Sequence, residues 1–405
     1  MLHPDEALER ILQNTPVLGT EKISLEIAAG RILAAEIKAA DELPPFDNSA
    51  MDGYAVRSDD LQGASSGNPI RLKIRETVRA GSLARERVAP GEAIAIMTGA
   101  PLPQGADAVV AVEQTRRCDG WVEALHAATA GDHIRSRGED VAKGQTLLKP
   151  GALLRPYEAA LLAAQGITEI EVVRKPRVAL IATGDELIPP SAPLSPGKIR
   201  NSNGPALASA LTRWGIPTLN LGVVPDEPRA LEEAFSRGLS EADVLLVSGG
   251  VSGGDFDYTK AVLAKIGVRE IFWKVAIKPG KPLFFGVGPE PQTSVFGLPG
   301  NPVSVLICLE EFVRPALEKL QGRHGGHPSY HLKGKAGNGY LTPKDRRQYL
   351  FCRVNSGPEG FELEIIRPQG SAMLGMVVQA NGLALAPMGR DRVDPGDLLP
   401  FRWLK

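Results

Sequence analysis

The chain has 405 residues and only three cysteines, Cys118, Cys308 and Cys352. They are widely spaced and odd in number, which excludes a disulfide framework and suits a reducing compartment. No apolar run approaches the roughly 18 residues of a membrane-spanning helix. Neither sign of charge is in excess: 46 Lys and Arg stand against 47 Asp and Glu, a net charge of −1. A general nucleic-acid binder needs a large positive field, so that class is excluded. The first fifteen residues, MLHPDEALERILQNT, are amphipathic, with Leu8, Ile11 and Leu12 on one helical face. They lack the apolar stretch of a secretion signal. The expectation is a cytoplasmic protein with no membrane and no nucleic-acid partner.

Hydrophobic content is 43%, normal for a globular protein. The 44 glycines and 33 prolines exceed average usage but fall short of a disordered composition. Many glycine-bearing loops between short elements account for them. At about 150 residues per domain, the length allows two to four domains.

Four regions differ in pattern. Residues 1–43 and 143–174 form a connecting domain of helices and short strands. After the first helix, 21–43 reads as a short strand and a helix. PYEAALLAAQGITEIEVV then reads as helix, glycine stop and strand. Residues 44–142 form a small β-rich domain, because IRLKIRETV, AIAIMTG and ADAVVAVEQT alternate between Gly and Pro breaks. Residues 175–322 alternate strand and helix. Their strands are continuously apolar, which predicts a doubly wound, mostly parallel α/β sheet. Asn203 is placed to cap NSNGPALASALTRWG, and NPVSVLICLEEFVRPALEKL reads as one long helix. Residues 323–405 read as a C-terminal β-barrel domain. The histidines of QGRHGGHPSYH fit no closed zinc pattern, so that stretch reads as a linker. The fold class is α/β plus β, multidomain.

In an open parallel sheet, ligands bind beyond the carboxyl ends of the strands. Three such ends carry unusual loops: ATGDEL, SGGVSGGDFDYTK and GLPGNPVS. In the third, Asn301 can cap the helix, Pro302 suits its first turn, and Gly300 admits a close ligand. Free amides at that helix start favour an anion. A well-capped helix alone would carry the same residues. The second loop joins four glycines to Asp255 and Asp257. Glycine amides suit phosphate-like groups, and the carboxylates suit Mg²⁺. It matches neither a Walker loop nor the dinucleotide fingerprint. A plain glycine loop is the alternative. Downstream, FWKVAIKPGKPLFFG places Lys274 and Lys278 on one face if the strand is extended. Lysines amid apolar residues need partners or a solvent-lined cleft, or they decorate a solvated edge. Near the N-terminus, PPFDNSAMDGYAV crowds Asp47, Asn48, Ser49 and Asp52 together. It suits a turn into a strand, and equally a carboxylate held at a site. No Ser-His-Asp or Cys-His arrangement suggests itself, and catalysis would rest on metal, lysines and amides.

Seven stretches in order, FDNSAMDGYAV, IMTGAP, IRSRGED, ATGDEL, SGGVSGGDFDYTK, AIKPGKP and GLPGNPVS, resemble the molybdopterin molybdenumtransferase (MoeA) family. The C-terminal E region of gephyrin is its animal relative. The resemblance covers essentially the whole chain. It implies molybdenum cofactor biosynthesis: molybdate enters adenylylated molybdopterin with Mg²⁺-dependent cleavage of the adenylate and release of AMP. It implies a homodimer whose cleft is shared between subunits. Molybdopterin adenylyltransferase and molybdoenzyme-maturation proteins are the further partners. By matching position, the catalytic residues would be Asp52, Asp140, Glu186, Asp257, Lys274 and Lys278. Thr98, Arg135, Asp226, Ser248, Gly249, Gly250, Pro299, Gly300 and Pro302 would bind substrate. Glu186 and Asp257 would hold the metal. The chain departs from the family pattern at Gly253, Phe256 and Arg200-Asn201. An adenylyltransferase-like activity and a non-catalytic cofactor carrier or scaffold are the alternatives.

Overall fold

Val178–Thr183 is an unbroken apolar strand, and every one of its residues is buried. It sits inside a six-stranded sheet ordered 218–224, 178–183, 244–248, 294–298, 284–287, 269–273. The first four run parallel. The last two are antiparallel additions. Successive side chains of a strand face opposite ways. Val178 and Leu180 therefore pack with Leu207 and Leu211 on one face, and Ala179 and Ile181 with Leu231 and Phe235 on the other. Helices on both faces explain why the strands are apolar throughout, and the sheet is doubly wound. The chain leaves Val178–Thr183 for one neighbour, 218–224, then crosses back to the other, 244–248. That reversal opens a crevice at the carboxyl ends of the two central strands.

The computed structural model describes residues 1–251, 258–289, 292–323 and 329–404. The chain divides into two compact units, one of Met1–Ile23, Gly30–Ala34 and Glu171–Lys405, the other of Ser24–Ala29 and Ala35–Ile170. In the first, Leu332–Ala336, Arg347–Gly357, Gly360–Ile365, Gly382–Ala386 and Leu398–Trp403 close into a five-stranded barrel, because Arg347–Gly357 pairs with both Gly360–Ile365 and Gly382–Ala386. The second unit holds a six-stranded sheet ordered 108–111, 53–56, 92–96, 70–78, 121–124, 115–118. Among the described residues no helix is long and apolar enough to cross a membrane.

Three expectations about local structure are corrected. The helix expected within 21–43 is a three-residue 3₁₀ turn, Leu25–Ile27. Ile37–Lys38 instead pairs with Thr146–Leu148, so a remote partner overrides a weak local helical period. Asn203 is the first helical residue rather than the cap. Asn201 does the capping, accepting a hydrogen bond from the Gly204 amide at 2.9 Å. Asn301 holds the N-cap position but its side chain does not cap; its Nδ2 donates to Ser371 Oγ at 3.1 Å. The long helix spans Pro302 to Leu320 as expected, with a π-helical turn at Leu309–Val313. Pro315 follows two residues later. It lacks an N–H and would crowd the carbonyl four residues back, which a wider turn relieves.

The helix Pro156–Ala164 in the second unit starts on an ion pair. Glu158 accepts from the Arg155 amide at 2.8 Å and from its guanidinium at 2.5 Å. These bonds hold its carboxyl down at about 2, from an ordinary 4.5. A depressed carboxyl contributes stability that is complete above the unfolded value and lost as pH falls through the folded one. Thermal unfolding followed from pH 5 to pH 2 is therefore expected to fall more steeply in the wild type than in Glu158→Gln. Parallel curves would remove the role.

Candidate functional site

A cleft of about 800 Å³ opens at the carboxyl ends of the parallel strands, with the barrel as its other wall. Each strand delivers a loop to it. After Val178–Thr183 come Gly184 and Glu186; after Thr218–Val224, Asp226; after Val244–Ser248, Gly249 and Gly250; after Ser294–Leu298, Pro299, Gly300 and Pro302. Glycine is obligatory at 249 and 250. Both have positive φ, and a Cβ would lie 2.3 Å from Thr183 O and 2.1 Å from Thr259 Oγ1 respectively. Gly300 differs, since a Cβ there would meet no protein atom. Its small size leaves room toward the cleft rather than relieving a clash.

Carboxylates gather at one end. A Cβ on Gly184 would sit 2.7 Å from Glu186 Oε2, so glycine makes the space into which that carboxylate folds. Asp226 accepts a short hydrogen bond from Thr183 Oγ1, and its amide donates to Asp185 Oδ1 at 3.1 Å. Cations line the cleft as well. Lys278, Lys281 and Arg346 line the cleft, and among the described residues neither lysine is paired with a carboxylate. The first turn of the helix Pro302–Cys308 lies between, although Val303 N already donates to Ser371 O at 2.9 Å. The cations can hold an anion, whereas among the described residues no three His, Cys, Asp or Glu side chains converge as a metal site.

Lys274 departs from its expected place. The strand Arg269–Trp273 ends before it, and its φ of 73° turns the chain. Lys274 and Lys278 are thus not two steps along one extended strand. Ile277–Lys278 pairs instead with Arg347–Gln348 of the barrel. The Lys274 ammonium lies 3.6 Å from the Trp273 ring centroid, and Lys260 lies 3.7 Å from the same ring. Lys274 is absent from the cleft lining. Asp257, expected as catalyst and metal ligand, lies outside the described residues.

The second unit holds the other four expected residues. Asp52 precedes the strand Gly53–Val56, and Thr98 follows its partner Glu92–Ile96. Thr98 donates to Asp52 Oδ1 from both amide and hydroxyl, each at 2.7 Å. The amide first and the hydroxyl second hold this carboxyl below its usual range. Arg135 stands opposite Asn48, and the Asp140 amide donates to Leu43 O at 3.0 Å. All four side chains are exposed.

The sequence reading missed Asn203, Arg346 and Gln348 as cleft residues. Asn203 was assigned to a cap. Gln348 sits in a barrel strand and Arg346 just before it, neither with a motif signal, and the pairing of Arg347–Gln348 with Ile277–Lys278 anchors that segment at the cleft.

Three family models match in order: MoeA N-terminal region (domain I and II) over residues 2–166, "Probable molybdopterin binding domain" over 179–319, and MoeA C-terminal region (domain IV) over 333–402. The chain is 37% identical to the molybdopterin molybdenumtransferase of Haemophilus influenzae, with all of both chains covered. It is 35% identical to that of Nostoc sp., over 93% of this chain and 87% of that one. Among solved structures, a molybdopterin biosynthesis MoeA protein from Pyrococcus horikoshii superposes with a TM-score of 0.84 at 31% identity, covering 100% of both chains.

Proposed function

This chain belongs to the MoeA family, and from that premise we propose that its cleft binds adenylylated molybdopterin and molybdate, releases AMP and loads molybdenum onto the pterin. The protein is a transferase of molybdenum cofactor biosynthesis. One observation carries the detailed reading. A single cleft at the sheet's switch point is lined both by Lys278 and Lys281, neither paired with a carboxylate among the described residues, and by the carboxylates Glu186 and Asp226. Two anionic substrates and a divalent ion need both kinds of group.

Lys278, Lys281 and Arg346 neutralise phosphate and molybdate oxygens. Ser248, Gly249 and Gly250 turn tightly enough to let substrate approach the backbone, and Pro299, Gly300 and Pro302 shape the opposite lip. Thr183 orients Asp226 through its hydroxyl. Glu186 offers oxygen donors in a space that only glycine leaves open, the donor chemistry Mg²⁺ takes. It would hold that ion together with Asp257. Bound there, Mg²⁺ would offset charge on the phosphate oxygens. Lys274, steadied on Trp273, is assigned a supporting electrostatic role beside the cleft.

The reading includes a cytoplasmic homodimer in which Asp52, Thr98, Arg135 and Asp140 of one copy serve the cleft of the other. The Asp52 carboxylate, held ionised by Thr98, suits a positioning role there. Asp52→Asn and Lys278→Ala are each expected to be inactive. Mixed after dissociation, they should regain about a quarter of wild-type activity, since heterodimers would carry one intact site. No recovery would overturn the shared cleft.

The direct test is AMP release from adenylylated molybdopterin with molybdate present, absent, or replaced by tungstate. Release that depends on the oxyanion supports the reading. Steady pyrophosphate formation from ATP and molybdopterin would mark an adenylyltransferase. A bound nucleotide indifferent to both Mg²⁺ and molybdate would mark a carrier.

A further inference from the structure

Two buried amides face the same cleft from opposite walls. Asn203 begins the helix Asn203–Arg213 beside the sheet, and Gln348 lies in the barrel strand Arg347–Gly357. Asn203 is 8% exposed and Gln348 3%. The orientation of Asn203 is determined by its partners. Nδ2 donates to Gly300 O at 2.7 Å and to Ser248 Oγ at 2.8 Å. A peptide carbonyl can only accept, so nitrogen must occupy that end and Oδ1 the other. Among the described residues, Asn203 Oδ1 and Gln348 Oε1 are both shielded from solvent and have no hydrogen-bond partner.

A buried acceptor without a donor is costly, and native proteins keep few. Two in one cleft, on separate elements, have a common explanation in the ligand. A carbonyl oxygen repels oxyanions, so these positions do not serve phosphate or molybdate. Lys278 stands in register with Gln348, and a lysine ammonium, not a carbonyl, is the group that takes anions. The two acceptors require hydrogen-bond donors that carry no negative charge.

We propose that Asn203 and Gln348 are specificity-determining residues that accept hydrogen bonds from N–H groups on the substrate's uncharged nitrogen heterocycle. The assignment rests on the cleft being the substrate site. In that substrate the pterin carries both ring N–H and amino donors, the N9-linked adenine has an exocyclic amino group but no ring N–H, and the phosphates and molybdate carry no such donor. Ser248 adds specificity of the opposite sense: its oxygen accepts from Asn203, so its own hydrogen is free to donate to a ring acceptor. A donor beside an acceptor reads one edge of a heterocycle and rejects its inverse.

The test measures anaerobic binding of molybdopterin, AMP and molybdate separately to the full-length protein. Gln348→Leu removes the acceptor while keeping most of the volume. Asn203→Ala removes the other acceptor, with its thermal midpoint as a folding check. Each variant should weaken molybdopterin roughly tenfold, the scale of one lost buried hydrogen bond, and leave AMP and molybdate within about twofold. If Oε1 had no ligand role, Gln348→Leu would leave all three affinities unchanged, and the assignment would fail. Equal weakening of all three probes in both variants would reduce the residues to structural parts. A wild-type protein that bound none of the probes would overturn the functional reading itself, and this assignment with it.

Discussion

Lys278→Ala is expected to slow molybdate-dependent AMP release roughly 100-fold or more, the usual effect of deleting a preorganised charge at a reacting oxyanion. The side chain is exposed in the cleft, and among the described residues it is not spent on a carboxylate. Its backbone is held by pairing with Arg347–Gln348. The ammonium is therefore available to substrate, on a backbone anchored by strand pairing. Lys278→Arg should recover only part of the rate, because the guanidinium is wider and spreads its charge over a plane. Raising molybdate should help the alanine variant little if the lysine acts on the departing phosphate, and much if it binds molybdate. Steady-state assays across a molybdate series separate the two. A rate within about twofold of wild type would remove Lys278 from the mechanism.

Arg402→Met is expected to destabilise the first unit by about 3–5 kcal/mol, because it strands a buried carboxylate. Arg402 donates to Glu311 Oε1 at 3.0 Å, and Tyr330 donates to the same oxygen at 2.8 Å. Glu311 is only 4% exposed. Burial pushes its carboxyl above the usual range, and Arg402 opposes that shift. Without the arginine, the group takes up a proton more readily on folding. A carboxyl raised in the folded state is stabilising below its unfolded value and loses that contribution as pH rises through the folded one. The defect of Arg402→Met should accordingly grow from pH 5 toward neutrality, as denaturant melts would record. Arg402→Met with Glu311→Leu should recover most of the loss, since a buried pair replaced by apolar side chains is often neutral. The pair joins the helix that starts at Pro302 to the last barrel strand. The helix borders the cleft and the strand belongs to the barrel that forms its other wall, so the single variant should also raise KM. An unchanged melt would contradict the desolvation argument.

Much of the site was legible because its chemistry is local. Gly249 and Gly250 take positive φ where the strand ends, a turn that the paired glycines announce in the sequence. Pro302 opens a helix because its missing N–H has no partner there anyway. Continuous apolar strands such as Val178–Thr183 imply cover on both faces, and both faces are covered. Where a residue's role depended on a distant partner, the reading failed. Asn203 has the composition of a cap, yet its amide bridges Ser248 and Gly300, 45 and 97 positions away. Lys274 and Lys278 have strand spacing, yet a positive φ at Lys274 separates them.

The order of the motifs, the doubly wound sheet and the loops at its strand ends were determined by the sequence alone. They follow from turn chemistry and from periodicities of two and 3.6 residues, which act over a few neighbours. The second wall of the cleft was decided only by tertiary structure. Pairing Ile277–Lys278 with Arg347–Gln348 brings a motif lysine beside barrel residues that no motif marks. Strand pairing is set by backbone hydrogen bonds that nearly all residues can make. Composition therefore marks which segments become strands, and the packing of the whole unit selects which of them meet.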